Sequence, residues 1–415
     1  MVKRVLVIGG GIIGLCTAYY LRKQGHEVVV VDQSNMDFGA SYVNAGYLTP
    51  SHIIPLAAPG RMKQGLKWMM DPSSPLYIRP RLNRSFLKWV WAFNRSCSEE
   101  NVKQSIGAIK NINLMSADLF SEIKTSEKFT FHLENKGLLM LCKTQEMLDE
   151  EIHVAKIASS EGLEVREISL SELKKMEPNV QMDVLGAVHY QCDWHTTPHE
   201  FMTEMYEWLQ SNGVTFYKNE KVTDLKINNE VISEIITQDQ SISADEFVLA
   251  AGTWSHLLSS KLGISIPLEA GKGYRINVTQ NTAITMPAVL AEANVAVTPM
   301  NGFTRFAGTM EIGGINHKIN KVRVDAIAQA AHQFYPGLTI GAEAKGSAAC
   351  GLRPVSPDGR PYIGRSAKCK NLTIATGHAM QGWSMGPATG KLVAQLISEK
   401  KTTITLDPYH PDRKF

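Results

Sequence analysis

The first fifty residues limit the fold more than any other part of the chain. Residues 4–8 (Arg-Val-Leu-Val-Ile) form a short apolar run suited to a strand buried on both faces. Gly9-Gly10-Gly11-Ile12-Ile13-Gly14 follows at once and satisfies G-x-G-x-x-G. Residues 15–24 then read as a helix stopped by Gly25, and residues 27–31 as a second buried strand ending at Asp32. Each part has a physical reason. Gly9 permits the tight turn, Gly11 lets backbone approach a pyrophosphate, and Gly14 lets helix and strand pack closely. The helix N-terminus faces phosphate, and Asp32 can accept ribose hydroxyls, which disfavours a 2′-phosphate. The unit predicts a dinucleotide site on a parallel sheet, without separating NAD from FAD.

The chain has 415 residues, enough for two or three domains, and 44% of them are hydrophobic. With a net charge of +3, it is neither a disordered chain nor a bulk nucleic-acid binder. No run reaches the length of a membrane span, and a structural motif stands where a signal peptide would be. The six cysteines are scattered without C-x-x-C, so free thiols in a reducing cytoplasm are expected. Cys192, His195 and His199 share a ligand-like spacing, C-x2-H-x3-H. No fourth ligand lies near, and Thr197, Pro198 and Glu200 read as a helix start, so no metal is expected.

Four further segments separate the two cofactors. Residues 39–47 (Gly-Ala-Ser-Tyr-Val-Asn-Ala-Gly-Tyr) form a small-residue loop after the second strand. Residues 350–364 read Cys-Gly-Leu-Arg-Pro-Val-Ser-Pro-Asp-Gly-Arg-Pro-Tyr-Ile-Gly, and residues 371–378 are a buried strand running into Gly377. Residues 382–390 (Gly-Trp-Ser-Met-Gly-Pro-Ala-Thr-Gly) then open a last helix. Taken in order, these blocks resemble the FAD-dependent D-amino-acid oxidase family. Ser41, Asn44, Ala45 and Gly46, with residues 57–60 (Ala-Ala-Pro-Gly), are most similar to its bacterial D-amino-acid dehydrogenase branch.

The resemblance implies an α/β plus α+β fold, in which a Rossmann-like FAD-binding domain is interleaved with a substrate domain built on an antiparallel sheet. The expected division assigns residues 1–85, 146–265 and 340–402 to FAD, 86–145 and 266–339 to substrate, and 403–415 to a tail. Carried over by position, the FAD contacts are Gly9, Gly11, Ile12, Ile13, Gly14, Asp32, Gln33, Ala40, Ser41, Asn44, Ala45, Gly46 and Tyr47. Val222 (through its backbone), Gly252, Gly377, His378, Gln381, Gly382, Trp383 and Ser384 complete the set.

A substrate carboxylate needs a planar bidentate donor, so arginine is preferred to lysine. Arg353 matches the arginine of this role in glycine oxidases; its other reading is a domain-interface salt bridge. His378 and Tyr274 are the remaining catalytic candidates, and Met380 and Thr298 the substrate contacts. Residues 294–298 offer no tyrosine where glycine oxidases place one, and Met380 replaces a polar contact. Both changes favour a bulkier or more apolar substrate than glycine. The implied reaction is oxidative deamination of a D-amino acid to a 2-oxo acid and ammonia, by hydride transfer to flavin N5, with electrons passed to a quinone. The alternatives are a D-proline, hydroxyproline or sarcosine/glycine-type imino-acid oxidase, and a flavin-binding subunit without turnover.

Residues 61–95 carry eight cations against Asp71 alone, and three of the seven tryptophans. Phe86, Trp89, Val90 and Phe93 recur at i, i+3, i+4 and i+7, and Met62, Leu66, Met69 and Met70 form a second helical stripe. Two readings stand: helices lying on an anionic membrane, or ordinary core packing with solvated cations. The resemblance implies a cytoplasmic protein held peripherally on the inner face of the cytoplasmic membrane.

Overall fold

The computed structural model describes residues 1–60, 74 and 76–415. The first strand, Arg4–Ile8, pairs in parallel with Glu27–Val31 on one side and Glu246–Leu249 on the other. Thr215–Tyr217 extends the first edge and Leu372–Thr376 the second, and Tyr362–Arg365 closes the six-stranded sheet antiparallel. A parallel sheet needs both faces covered, which explains the unbroken aliphatic runs. Val5 and Val7 pack under the helices Ile12–Lys23, Glu99–Ser126, Pro198–Ser211 and Gly386–Ile397. Leu6 and Ile8 face the opposite core, formed by the small sheet Asp224–Asn228, Val231–Ile236 and Ser241–Ser243 with the helix Ser255–Lys261.

A nine-stranded, mainly antiparallel sheet forms the second body of the fold. Ala349–Val355, Glu269–Val278, Phe303–Ile312 and Val295–Met300 are consecutive neighbours in it, and the helix Lys321–Phe334 covers its apolar side. The expected domain bounds cut across both cores. Glu99–Ser126 packs against the cofactor sheet through Ile109, Ile112, Phe120 and Ile123. Val165–Ile168 and Gly186–Tyr190, from the stretch assigned to FAD, join the large sheet. The last residues are anchored too: Tyr409 is buried and donates to the Ala108 carbonyl (2.7 Å), and Arg413 pairs with Asp358 (2.7 Å). The strand Asp224–Asn228 begins after Val222, which lies in irregular backbone.

The basic stretch is settled in part. Met62, Leu66, Met69 and Met70 lie outside the described residues. The helix Arg84–Ser96 starts where the Asn83 side chain accepts the Phe86 N–H (2.8 Å). Its stripe of Phe86, Trp89 and Phe93 turns inward against Ala57, Met310, Ile312 and Val355. Trp89 is 1% exposed and its Nε1–H donates to the Val355 carbonyl at 2.9 Å. That stripe is core packing, so the membrane reading of these three residues is corrected. Among the described residues of the stretch, Leu82, Leu87 and Trp91 are the large apolar side chains left exposed. Among the described residues, no helix is long and apolar enough to cross a membrane.

Candidate active site

The carboxyl ends of the parallel strands open into a cavity of about 1310 Å³. This exceeds the roughly 300–1,000 Å³ usual for drug-sized ligands, so it has room for a dinucleotide and a second molecule. Of the residues expected to contact cofactor or substrate, Gly9, Gly11, Ile12, Ile13, Asp32, Gln33, Ala40, Ser41, Asn44, Val222, Gly252, Arg353, His378, Met380, Gly382 and Trp383 line it.

At one end, Gly9 adopts φ +113° and Gly14 packs on it so closely that a Cβ at Gly14 would lie 1.8 Å from the Gly9 carbonyl oxygen. No other residue fits this turn. Asp32 accepts the Gly10 N–H (2.7 Å) and the Ser34 N–H (2.8 Å), which fixes its carboxylate at the end of the second strand. Ser41 Oγ accepts the Ile12 N–H (2.9 Å) and so brings the small-residue loop to the helix N-terminus. Arg305, buried among these segments, clamps that loop by donating to the Tyr42 and Asn44 carbonyls (3.0 and 2.7 Å). Burial pushes its guanidinium down to about 9. A glycine cradle, a helix N-terminus at the cavity wall and an oriented acid match the pyrophosphate and ribose of FAD.

At the other end, Arg353 lies opposite Gly271 in the large sheet and donates to the Thr309 carbonyl (3.1 Å). Burial alone pushes its guanidinium down to about 10. Among the described residues no carboxylate pairs with it, so the salt-bridge reading lacks a partner there. The adjoining Ala379 N–H donates to Pro354 O (2.9 Å), which ties the Arg353 strand to the turn that carries Met380, Gly382 and Trp383. Met380 is largely exposed. His378 is buried, its Nε2 is 3.0 Å from Thr389 Oγ1, and desolvation pushes it down to about 3, so the imidazole is neutral at physiological pH.

Several expected residues do not line the cavity. Tyr274 is buried in the core of the large sheet, where its hydroxyl donates to Glu311 (2.7 Å) and desolvation pushes its pKa up. Strand alternation places it on the face opposite Gly273, so a direct catalytic part for Tyr274 is corrected. Thr298 donates to the Ala45 carbonyl (2.7 Å), and Tyr47 to the Ala288 and Val297 carbonyls (2.7 and 2.9 Å). Gln381 holds the His52 carbonyl (2.5 Å), and Ser384 accepts the Thr49 N–H (3.0 Å). Gly14, Ala45, Gly46 and Gly377 stand behind the wall as backbone. These residues shape the cavity from outside it.

Trp254 and His317 are lining residues that the sequence did not single out; their rings stack at 6.1 Å. Trp254 had a signal, since it follows the small residues at 250–252 that end a buried strand. His317 lies in irregular backbone, and only the folded structure brings it to the mouth.

Fold and cavity together define an FAD-dependent oxidoreductase. The chain belongs to the DAO family: the model for FAD dependent oxidoreductases matches residues 4–396, and its cofactor is FAD. Solved structures share the fold over their whole length. Glycine oxidase from Geobacillus kaustophilus is 21% identical, with a TM-score of 0.78 and 100% of both chains covered. Glycine oxidase from Bacillus cereus is also 21% identical, at 0.76 over 99% of each chain. L-proline dehydrogenase from P. horikoshii is 20% identical, at 0.74, covering 99% of this chain and 97% of that one.

Proposed function

We propose that the protein oxidises D-amino acids with apolar side chains to 2-oxo acids and ammonia, and delivers the electrons to a membrane quinone. The observation that carries this reading is Arg353, a half-buried arginine without a carboxylate partner among the described residues, on the cavity wall beside the Ala379–Trp383 turn. A fixed, desolvated cation there favours a bidentate carboxylate ligand. FAD, when bound, supplies the two-electron acceptor. The chain's own residues have the simpler work of holding the substrate carboxylate and keeping water from the reacting Cα. His378, neutral and held by Thr389, orients the turn around the cofactor and takes no proton from the amine. The substrate amine therefore binds in its free form, and the imino acid product hydrolyses in water.

An apolar preference rests on Met380 at the cavity wall and on the absence of a tyrosine from Val295–Met300. The D-configuration rests on the resemblance of residues 39–47 to the D-amino-acid dehydrogenase branch. The solved neighbours include an L-proline dehydrogenase and an L-amino acid deaminase, so the fold by itself does not set the hand of the substrate. Membrane delivery rests on exposed Leu82, Leu87 and Trp91 beside Arg84, Lys88 and Arg95. The test is anaerobic flavin bleaching with a panel of D-, L- and imino acids, with and without a soluble quinone analogue. Rapid bleaching by apolar D-amino acids, reversed faster by quinone than by oxygen, is expected. Bleaching by L-amino or cyclic imino acids alone would overturn the substrate assignment.

A further inference from the structure

Away from the cofactor cavity, a three-stranded sheet brings together residues distant in sequence. Its middle strand, Trp194–Thr196, lies between Tyr47–Leu48 and Leu133–Glu134, with His195 directly across from Glu134. The Glu134 Oε2 atom lies 3.4 Å from His195 Nε2 and 3.6 Å from His132 Nε2. One ligand atom from each of the three residues falls within 4.8 Å of the others. Ligand atoms bound to a tetrahedral ion at about 2.0–2.1 Å are about 3.3 Å apart, so both carboxylate–imidazole edges are already close to that spacing.

A second observation is independent of those distances. His195 is 0% exposed, yet neither of its ring nitrogens has a hydrogen-bond partner. Buried polar atoms are seldom left unpaired, because desolvation without a partner is costly. His132 is prepared differently. Its Nδ1 is 3.1 Å from Thr197 Oγ1, an oxygen that also accepts the Asn301 N–H (2.9 Å). With Nδ1–H donating there, the Nε2 lone pair is left for an ion. Lys136 Nζ sits 2.7 Å from the same Glu134 oxygen, but its side chain is 42% exposed and can swing into solvent.

We propose that His132, Glu134 and His195 bind a divalent transition-metal ion, with zinc(II) the best match to two imidazoles and one carboxylate and with water as fourth ligand. Lys136 occupies the carboxylate until the ion displaces it. The ion fastens Leu133–Glu134 to Trp194–Thr196. Thr196 in turn donates to the Gly46 carbonyl (3.0 Å) and accepts from Trp383 Nε1 (3.0 Å). The metal thereby braces the cavity wall from behind and takes no part in electron transfer. The spacing that draws attention to His195 in the sequence points to other partners: Cys192 Sγ instead faces Asp193 (3.7 Å), and His199 stacks on Phe303 (6.1 Å).

The test uses the FAD-loaded full chain, stripped with a chelator and titrated calorimetrically with zinc(II), then with cobalt(II) as a spectroscopic probe. One saturable equivalent per chain is expected, with tetrahedral cobalt bands. His132→Ala and Glu134→Gln, both at partly exposed positions, should each weaken zinc binding at least about tenfold while the flavin spectrum is retained. His195→Ala is not needed, which avoids a variant that fails to fold. Absence of saturable uptake, or equal affinity in the His132→Ala/Glu134→Gln double variant, would overturn the proposal.

Discussion

The guanidinium of Arg353 lies against the backbone of Gly273: a Cβ built on that glycine would fall 2.0 Å from Nη1. The two residues belong to paired strands of the large sheet, Ala349–Val355 and Glu269–Val278. The bare glycine provides the space in which the cation sits, half-buried, beside the cavity. Removing the charge and crowding it should therefore act on the same step. Arg353→Leu is expected to raise KM about 10- to 100-fold, the scale of a hydrogen bond to a charged group. Gly273→Ala should raise it less, by displacing the guanidinium, and both variants should keep the wild-type flavin spectrum. Steady-state kinetics on an apolar D-amino acid read this out; an unchanged KM in Arg353→Leu would sink the carboxylate role.

Asp32 is held by the Gly10 and Ser34 N–H groups at the end of its strand. Asp32→Ala should lower FAD affinity about tenfold or more, given the usual worth of a charge-assisted hydrogen bond. Flavin fluorescence released on dilution measures it. Full FAD retention would show that this carboxylate does not carry the ribose.

Two tryptophans on one helix should behave in opposite ways. Trp89 is buried and hydrogen-bonded to Val355, whereas Trp91 is 55% exposed with Arg95 over its ring at 5.0 Å. Trp89→Ala should cost about 3–5 kcal/mol of stability through the cavity it leaves. Trp91→Glu should leave the melting temperature nearly unchanged and reduce co-sedimentation with anionic vesicles. Vesicle binding indifferent to Trp91→Glu and to salt would remove the case for a membrane face.

His378 sets a pH dependence. Its folded pKa of about 3 lies below the ordinary 6.5, so the neutral form is the one the fold favours. The stability it contributes is fully present above pH 6.5 and is lost as pH falls toward 3, at about 1.4 kcal/mol per unit. Chemical denaturation at pH 7 and pH 4.5 should show a shallower acid loss in His378→Asn than in the wild type. Parallel acid limbs would mean that another group titrates.

What the sequence disclosed depended on the range of the signal. The turn from Gly9 to Gly14 and the acid at Asp32 were legible because their chemistry is local: chain geometry and ligand contact lie within one supersecondary unit. Arg353 was singled out through the resemblance; the structure places it on the cavity wall over Gly273, with no carboxylate partner among the described residues. Trp89 was left between two readings because helical periodicity reports an apolar face without saying what covers it, and Val355 and Met310 are far away in the chain. Tyr274 was misassigned by strand parity: Gly273 and Tyr274 are adjacent in sequence and face opposite ways. The meeting of His195 with Glu134 depended on pairing between strands some sixty residues apart, which no local spacing encodes.

The order of strands in the cofactor sheet has a consequence for biosynthesis. Residues 4–31 form the first two strands and the phosphate-binding turn, but the helix Gly386–Ile397 packs on Ile12–Lys23 so tightly that a Cβ at Gly390 would meet the Cys16 backbone at 2.4 Å. During translation, Ile12–Lys23 must wait until Gly386–Ile397, far along the sequence, has been made before this packing partner exists. A nascent chain that stops before residue 372 therefore lacks a sheet strand and the closing helix, and with them the cavity wall from Ala375 to Trp383.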